Sequence, residues 1–177
     1  MLSYEESLKI LKETNALLEG HFILSSGLHS KQYVQCAKLL SFPKKAEVIC
    51  SSLCKKISST INKIDIVLSP AIGGIVVGYE VGRRLGVETI FAERFDRRLI
   101  LRRGFKIPEN SKVLVVEDVI TTGKSALECS EIIKKNKSEV VGYACIIDRS
   151  NNSVLIKQKI ISQIKFEIET FREKELP

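Results

Sequence analysis

Residues 113–125 constrain the fold of this chain more than any other stretch. They begin with four apolar residues at 113–116, continue through Glu117 and Asp118, and end in Thr-Thr-Gly-Lys-Ser at 121–125. A continuous apolar run is typical of a strand buried on both faces of a parallel sheet, and the polar residues after it predict a loop and then a helix. Because open α/β sheets bind ligands at the carboxyl ends of their strands, we expect a binding site here.

The polar residues of this stretch suit a phosphorylated sugar. Residues 121–125 offer hydroxyls, a lysine, a glycine for close approach and the free N–H groups of a helix N-terminus, all of which suit a phosphate. Glu117 and Asp118 would repel a bare phosphate, so they need sugar hydroxyls, Mg²⁺ or a developing cationic carbon beside them. A phosphorylated ribose can supply all three. A P-loop is excluded because it needs a glycine five positions before Gly123, where Asp118 stands.

The stretch resembles the phosphoribosyl diphosphate (PRPP) signature of type I phosphoribosyltransferases. The resemblance implies an α/β fold with a central, mostly parallel sheet flanked by helices and a small N-terminal hood. It also implies that the two acids lie along the ribose hydroxyls and that the loop wraps the 5′-phosphate. The PRPP-binding residues that it implies here are Glu117, Asp118, Val119, Ile120, Thr121, Thr122, Gly123, Lys124 and Ser125.

A second loop, at residues 69–74, follows another predicted buried strand. Its adjacent glycines, Gly73 and Gly74, let the backbone approach a ligand closely and turn N–H groups toward an anion. A tight strand-to-helix turn would explain the same residues. The family has a short loop here that holds the diphosphate, often with an unusual peptide geometry. The resemblance therefore implies PRPP contacts at Ile72 and Gly73.

The N-terminal segment and one arginine point to orotate as the base. Residues 20–30, followed by Tyr33, resemble the hood of orotate phosphoribosyltransferases, which lies against the base. Burying the orotate carboxylate without a cation would be costly. Arg149, just after a predicted strand, can offer a two-pronged guanidinium, and the family has an orotate-binding arginine at this place. The resemblance thus implies orotate contacts at Thr121, Arg149 and Tyr33.

Residues 94–104 form a strongly basic stretch, with five arginines and one acid between positions 94 and 103. Such a run is often a solvated face. It also suits a loop that closes over the diphosphate, because arginines would stabilise the charge that accumulates as the glycosidic bond breaks. The resemblance implies that Arg94 contacts PRPP and puts Arg98 in the place of a catalytic lysine. Arg98 and Asp118, which would stabilise the cationic carbon, are the predicted catalytic residues.

The chain departs from the orotate family's pattern at three places. Many members have lysines where this chain has Ser25 in the hood and Gly73 in the diphosphate loop. Their long mobile catalytic loop carries lysines and a histidine, whereas residues 94–104 are shorter and have neither. The chain resembles the shorter branch of the family, and the loop group that assists catalysis stays open. Because such loops reach the neighbouring subunit, the resemblance implies a homodimer with shared active sites.

Helical and strand patterns alternate along the rest of the chain, which predicts a largely parallel sheet with right-handed crossovers. A capping box of Ser3 and Glu6 begins the first helix, whose apolar stripe extends to Leu17 and Leu18. Residues 154–171 are ambiguous, with an alternation that partly suits an edge strand. The other predicted strands are 21–24, 32–36, 64–69, 88–92 and 140–147, and the other predicted helices are 43–57, 78–85 and 125–136.

Composition limits the class and the partners of the protein. The 177 residues suit one domain, 1–177, with a hood mainly from about 1–40 plus the C-terminal segment. No stretch approaches the roughly 20 apolar residues that span a membrane, and the first residues lack the short apolar core that is typical of a secretory signal. Five scattered cysteines without a Cys-x-x-Cys pair argue against disulfides or a zinc site, so we expect a cytoplasmic protein. The net charge of +7 suits a polyanionic small substrate, and sparse aromatic residues disfavour nucleic acid.

Together these features predict transfer of the phosphoribosyl group from PRPP to orotate, which gives orotidine 5′-monophosphate and diphosphate in pyrimidine biosynthesis. Mg²⁺ would be bound mainly through PRPP, and no side chain is predicted to ligate the metal directly. Two alternatives stay open: a purine or uracil phosphoribosyltransferase, and a PRPP-binding nucleic-acid regulator of the same fold. Inactivity with orotate as the sole acceptor would favour the first, and salt-sensitive RNA binding without turnover would favour the second.

Overall fold

The computed structural model describes residues 1–23, 27–151, 154–166, 168 and 170–172. Its helices are α1 (Tyr4–Glu13), α2 (Cys36–Leu40), α3 (Pro43–Ser58), α4 (Gly73–Leu85) and α5 (Lys124–Lys135). Its strands are β1 (Leu17–Ile23), β2 (His29–Val34), β3 (Ile66–Pro70), β4 (Glu88–Phe95), β5 (Arg98–Leu101), β6 (Lys112–Ile120), β7 (Glu139–Asp148), β8 (Ile160–Lys165) and β9 (Thr170–Phe171). Among these described residues, no helix has the length and apolar character to cross a membrane.

Six of the described strands form one sheet in the order β5-β4-β3-β6-β7-β8. Neighbouring strands are parallel except β4 and β5, which are antiparallel. In this register Leu68 of β3 pairs with both Ile90 of β4 and Val115 of β6. The predicted α/β fold with a mostly parallel central sheet is confirmed. The carboxyl ends of β3, β6 and β7 therefore lie side by side at one edge of the sheet.

The central strands are buried because helices cover both faces of the sheet. The four residues 113–116 are each at most 1% exposed. Successive side chains of a strand point to opposite faces. Leu114 accordingly packs in the core that contains Leu53 of α3, and Val115 packs in the core that contains Ile133 of α5. Burial on both faces explains why β6 shows an apolar run rather than an alternating pattern.

A separate antiparallel sheet in the order β1-β2-β9 forms the small hood. β1 pairs with β2, and β2 pairs with the short β9, where His29 lies opposite Phe171. The Cys36 thiol at the start of α2 donates to the Asp118 carbonyl oxygen at 3.8 Å. The chain that leaves β2 is thereby attached beside the carboxyl end of β6. The assignment of residues 1–177 to one domain with this hood stays a prediction.

The first helix begins where predicted but ends earlier. Ser3 and Glu6 form the capping box, with hydrogen bonds in both directions. The prediction that the helical stripe continues through Leu17 and Leu18 is wrong, because both residues lie in β1. Asn15 has a φ of 55°, a left-handed conformation that asparagine tolerates, and there the chain turns from α1 toward the hood.

Other predicted boundaries shift by smaller amounts. The strand predicted at 32–36 begins earlier, as β2, and Cys36 instead begins α2. α4 begins at Gly73, well before its predicted part. Leu24, the predicted end of the first strand, lies outside the described residues. The ambiguous region 154–171 contains β8, the parallel edge strand beside β7, and β9 of the hood.

The prediction that residues 94–104 form a loop is wrong for its first half. β4 and β5 pair across it as an antiparallel hairpin, with Phe95 opposite Arg98. The two residues of the turn have positive φ values of 46° and 64°, as tight hairpins with a right-handed twist require. Leu99 is 6% exposed and packs in the core on the α5 side. Leu99 therefore anchors β5 to the core. The arginines around it in the sequence led to the prediction of a loop.

Candidate active site

The carboxyl ends of β3, β6 and β7 bring predicted site residues to one edge of the sheet. The Arg149 N–H donates to the Ile120 carbonyl oxygen at 2.8 Å, which places residue 149 at the end of β6. From the other side, a Cβ added at Gly73 would lie 2.8 Å from Asp118 Oδ2. The structure thus brings Gly73, Asp118 and Arg149, one residue from each of the predicted diphosphate, ribose and base sites, to the end of β6.

The two adjacent acids point to opposite faces of β6, because strand side chains alternate. Asp118 lies on the side of Gly73 and α4, and its Oδ1 accepts a hydrogen bond from the Val119 N–H at 2.8 Å. Glu117 lies toward α5, where its charge adds to burial in raising the pKa of the Cys129 thiol. The acids can therefore meet two different parts of a ligand that lies across the strand end.

The surroundings of both acids disfavour their negative charge. Burial, and then the neighbouring Asp118, raises the pKa of Glu117 to about 8. Burial also raises the pKa of Asp118, and hydrogen bonds from backbone N–H groups partly oppose that rise. Hydroxyl donors or a positive charge nearby would favour the ionised forms. The pair suits ribose hydroxyls, a cation or a developing positive charge rather than a bare anion.

The loop between β6 and α5 offers a site for an anion. Gly123 has a φ of 77°, which glycine adopts without steric cost, and it leads into the N-terminus of α5. Thr121, Thr122 and Lys124 are exposed, and Ser125 is half-buried. The first N–H groups of a helix have no acceptor within the helix. Exposed hydroxyls and an ammonium therefore lie beside the N-terminus of α5, where the Lys124 N–H donates to Thr122 Oγ1 at 3.4 Å, and this combination suits a phosphate.

Two residues that sequence reasoning missed hold this loop in place. The Leu155 N–H donates to the Thr122 carbonyl oxygen at 2.9 Å. The Ile156 side chain packs so closely on Gly123 that a Cβ there would lie 2.7 Å from Ile156 Cδ1. The only signal in the sequence is a short apolar run at 154–156 within a polar stretch. That run indicates burial but does not show which part of the chain it covers.

The loop after β3 leads directly into α4. The peptide bond between Ala71 and Ile72 is cis, and Ile72 is 85% exposed. Gly73 is the first residue of α4, so the N–H groups here are among those that a helix leaves without acceptors. Position 73 also has no room for a lysine while Asp118 keeps its present orientation.

Arg149 is a half-buried cation with an unsatisfied donor. Its Nε is buried and has no hydrogen-bond partner in the part of the chain that the structure describes. Burial also lowers the pKa of its guanidinium. The adjacent Asp148 is engaged elsewhere: it accepts from the Ser150 N–H at 2.8 Å and lies 3.4 Å from the Lys165 ammonium. Because a buried donor without a partner is costly, this position suits an anionic ligand.

Arg94 and Tyr33 have contacts within the protein, whereas Arg98 is exposed. The Arg94 guanidinium donates two hydrogen bonds to the Glu128 carboxylate, at 3.1 and 3.3 Å. Arg98 is exposed at the start of β5. Tyr33 stacks on Phe22 within the hood, with ring centroids 5.6 Å apart. These contacts do not test the roles of the three residues, which stay predictions.

Comparison with known proteins gives consistent matches. The phosphoribosyl transferase domain family matches residues 43–174. An orotate phosphoribosyltransferase from Caldicellulosiruptor bescii is 51% identical over 170 residues, covering 96% of this chain and 88% of that protein. Another, from Chlorobium phaeobacteroides, is 46% identical over 170 residues, covering 96% and 87%. The crystal structure of orotate phosphoribosyltransferase from Aeropyrum pernix superposes with a TM-score of 0.74 at 24% identity, covering 89% of this chain and 92% of that chain.

Proposed function

Because this chain belongs to the phosphoribosyltransferase family and has orotate phosphoribosyltransferases as relatives at 46–51% identity, we propose how its residues perform the orotate reaction. The enzyme transfers the 5-phosphoribosyl group of PRPP to N1 of orotate. The products are orotidine 5′-monophosphate and diphosphate. This is a step of pyrimidine biosynthesis.

Arg149 supplies the observation that carries the choice of orotate. Its buried Nε has no partner among the described residues, and its own N–H is bonded to the end of β6. Orotate carries a carboxylate that a guanidinium can bind through two parallel hydrogen bonds. Uracil, adenine and hypoxanthine lack this carboxylate and would leave the buried donor unsatisfied. Thr121, next to this position, and Tyr33 of the hood complete the proposed orotate site.

PRPP lies across the end of β6 in this proposal. Its 5′-phosphate binds the loop at 121–125, which presents hydroxyls and the N-terminus of α5. Its ribose hydroxyls meet Glu117 and Asp118, whose buried carboxylates gain hydrogen-bond donors. Its diphosphate lies at the start of α4, where Ile72 and Gly73 allow the backbone to approach closely.

Catalysis rests on positioning and electrostatics. As diphosphate leaves C1, positive charge develops on the ribose ring and negative charge develops on the leaving group. Asp118 stabilises the positive ring, and Arg94 and Arg98 of the hairpin stabilise the leaving diphosphate. Ionised orotate N1 attacks C1 from the opposite face and needs no strong base, because binding has already aligned the two reactants.

The proposed metal is Mg²⁺, which would be bound mainly through PRPP. No group of three or more His, Cys, Asp or Glu side chains gathers among the described residues. The two carboxylates at the end of β6 do fit Mg²⁺, which commonly binds one or two carboxylates together with substrate phosphates and keeps several waters. When bound, the ion would neutralise part of the diphosphate charge. Glu117 and Asp118 are the residues whose carboxylates would face such an ion, and the expectation that no side chain ligates it directly stays a prediction.

A homodimer with shared active sites fits the exposed face of α4. Ile72, Val76 and Tyr79 lie at helical spacing and are 85%, 50% and 64% exposed, and a patch of large apolar residues is typical of an interaction surface. Because this face begins at the diphosphate loop, a second copy docked there would lie beside the active site. Sedimentation should show a dimer that Tyr79→Glu converts to a monomer, and a monomeric wild type would contradict the proposal.

A cytoplasmic location is part of the same proposal. Cys36, Cys50, Cys54, Cys129 and Cys145 are all free and buried. Disulfides are rare in the reducing cytoplasm and common in oxidising compartments. Free buried thiols therefore support the cytoplasmic assignment. Fluorescence imaging of a tagged full chain is the measurement that checks it, and a signal at the cell envelope would contradict it.

The function is tested by following the absorbance of orotate after mixing the protein with PRPP and Mg²⁺. Uracil, adenine and hypoxanthine serve as parallel acceptors. We expect orotate to be consumed only when both PRPP and metal are present, and faster than any other base. Preferred turnover of another base would overturn the orotate assignment. PRPP binding without turnover of any base would favour the regulator instead.

A further inference from the structure

The phosphate loop at 121–125 is held by a short segment that lies between β7 and β8. Only three residues of this loop separate β6 from α5. The Thr122 carbonyl oxygen accepts a hydrogen bond from the Leu155 N–H at 2.9 Å. The Ile156 side chain covers Gly123 so closely that an added Cβ would lie 2.7 Å from both Cδ1 and Cγ1 of Ile156. Two of the three connecting residues are therefore fixed from outside the loop.

Ile156 is itself anchored in the core of the protein. Its side chain is 5% exposed and packs in the same core as Ala126 and Ile133 of α5. The side chain of the neighbouring Leu155, in contrast, is 56% exposed. Because a branched side chain in a close-packed core has few rotamers open to it, Ile156 presents a surface of defined shape to the loop.

Gly123 is the point at which this packing has most effect. Its φ of 77° is one of several conformations that glycine populates readily, so the residue alone does not fix the direction of the chain. Its carbonyl oxygen accepts from the Leu127 N–H at 2.9 Å and belongs to the first turn of α5. The N–H groups at the start of a helix have no acceptor within it and can bind an anion. Their direction relative to β6 therefore depends on the conformation that Ile156 stabilises.

We propose that Ile156 is a positioning residue for PRPP, which holds Gly123 in the conformation that directs the N-terminus of α5 toward the 5′-phosphate. The inference rests on the proposed function, because it needs PRPP as the ligand of this loop. Ile156 acts only through the loop and does not touch the reacting atoms. Because its side chain has no polar group, its effect comes from packing alone, and the loss of one methyl group is enough to change it.

Ile156→Val and Ile107→Val form a matched pair that tests the proposal. Ile107 is 4% exposed and packs in the same core. It lies near the opposite end of α5, because the adjacent Pro108 carbonyl oxygen accepts from Ser138 Oγ at 2.8 Å. We expect both variants to lower the Tm by similar amounts and only Ile156→Val to raise the KM for PRPP, by about threefold. Equal KM values for PRPP in the two variants would overturn the proposal. The KM for orotate should stay near the wild-type value in both.

Leu155→Ala is a second control, from the same segment. The variant keeps the N–H that bonds to Thr122 and shortens only an exposed side chain. We expect the wild-type Tm and the wild-type KM for PRPP. A rise in the KM for PRPP as large as that of Ile156→Val would show that any change in this segment disturbs the loop, which would overturn the specific role of Ile156.

A double-mutant cycle with Gly123→Ala tests whether Ile156 acts through Gly123. In Gly123→Ala the new Cβ meets two atoms of Ile156 at 2.7 Å, whereas in the double variant with Ile156→Ala only Cβ remains, at 3.8 Å. We expect the double variant to raise the KM for PRPP by less than the product of the two single effects. A rise equal to that product would show that the two residues act independently and would overturn the proposal.

Calorimetric titration with PRPP alone separates this inference from the proposed function. If the wild type binds PRPP but converts no base, the proposed function fails, and the dissociation constants for PRPP in the matched valine pair still decide the role of Ile156. If the wild type does not bind PRPP, both are overturned. If the alanine variants do not fold, the valine pair alone decides the role of Ile156.

Discussion

The phosphate loop and the arginine hairpin face the same proposed ligand but are built in opposite ways. The loop at 121–125 follows a strand whose residues 113–116 are at most 1% exposed, and it offers backbone N–H groups and short hydroxyls. The hairpin ends in β5, one of the two edge strands of the sheet, and offers long charged side chains. Its Arg94 is held in place by Glu128, a residue 34 positions away in sequence.

This difference shows that the two regions contribute differently to the reaction. A buried strand and a helix N-terminus set the ligand geometry with little freedom, so their residues control whether the reaction is possible. Exposed arginines add charge whose strength depends on ion-pair partners and on salt. We therefore expect substitutions at the strand ends to impair the reaction more than substitutions in the hairpin.

The largest effect is expected for Asp118→Asn. This variant keeps the size of the side chain but removes the charge that stabilises the cationic ribose, so kcat should fall about a thousandfold. Since burial raises the pKa of Asp118, the neutral side chain should leave the Tm unchanged or higher. Steady-state kinetics and thermal unfolding provide the two readings. A kcat within about tenfold of the wild type would remove Asp118 from the mechanism.

A smaller loss is expected for Gly73→Ala. The added Cβ would lie 2.8 Å from Asp118 Oδ2, and the flexible carboxylate can rotate away, so kcat should fall about thirtyfold with little change in Tm. Gly74→Ala is the contrasting variant, because its Cβ would meet the Val116 carbonyl oxygen at 3.2 Å and the Ser69 Cβ at 3.1 Å. That backbone cannot move as easily, so Gly74→Ala should lower the Tm. A lower Tm for Gly73→Ala together with a lower kcat but unchanged Tm for Gly74→Ala would contradict the proposed placement of the Asp118 carboxylate.

In the hairpin, Arg98→Ala should reduce kcat about tenfold and Arg97→Ala by less than about twofold. Arg98 holds the place of the catalytic lysine in the resemblance, whereas Arg97 occupies the turn and contributes its carbonyl oxygen to Arg94. The effect of Arg98→Ala should shrink as salt is added, because salt screens exposed charges. Assays from low to high ionic strength check both points. A larger loss of kcat in Arg97→Ala than in Arg98→Ala would contradict the catalytic role of Arg98 and assign it to Arg97.

The smallest effect is a change in stability with pH. The pKa of Glu117 is raised from an ordinary value of 4.5 to about 8, so between these values the folded chain holds a proton that the unfolded chain releases. The free energy of unfolding should then fall as pH rises through this window, by at most about 1.4 kcal/mol per pH unit from this group. Glu117→Gln should flatten that slope. Urea unfolding at pH 6 and pH 8 without substrate measures it, and equal slopes in both proteins would contradict the raised pKa.

Much of the scaffold could be predicted from sequence because local pattern and burial agree there. The apolar run at 113–116 predicted the start of β6 to within one residue, although the strand continues to Ile120, and α5 begins one residue before its predicted start at 125. Arg149 was singled out by its position after a predicted strand together with the resemblance to the orotate family, since an arginine in a charged loop is otherwise expected to lie at the surface. In each case a short stretch of sequence contains both the residues that form the strand and the polar residues that follow it.

The rest depended on contacts that local pattern does not encode. The hairpin was predicted as a loop because arginines surround Leu99, whose burial depends on the core beside α5. Leu155 and Ile156 contact the phosphate loop from a segment with no regular periodicity. The ion pair of Arg94 with Glu128 joins β4 to α5. The sequence does not show which of the many acids in the chain pairs with Arg94.

The most direct test of the claim that the strand ends select orotate is the KM for orotate in Arg149→Ala. The KM for PRPP is measured in the same preparation. The account predicts that the KM for orotate rises about a hundredfold, because the carboxylate loses its cation, while the KM for PRPP changes less than about twofold. An unchanged KM for orotate, or an equal loss for both substrates, would contradict it.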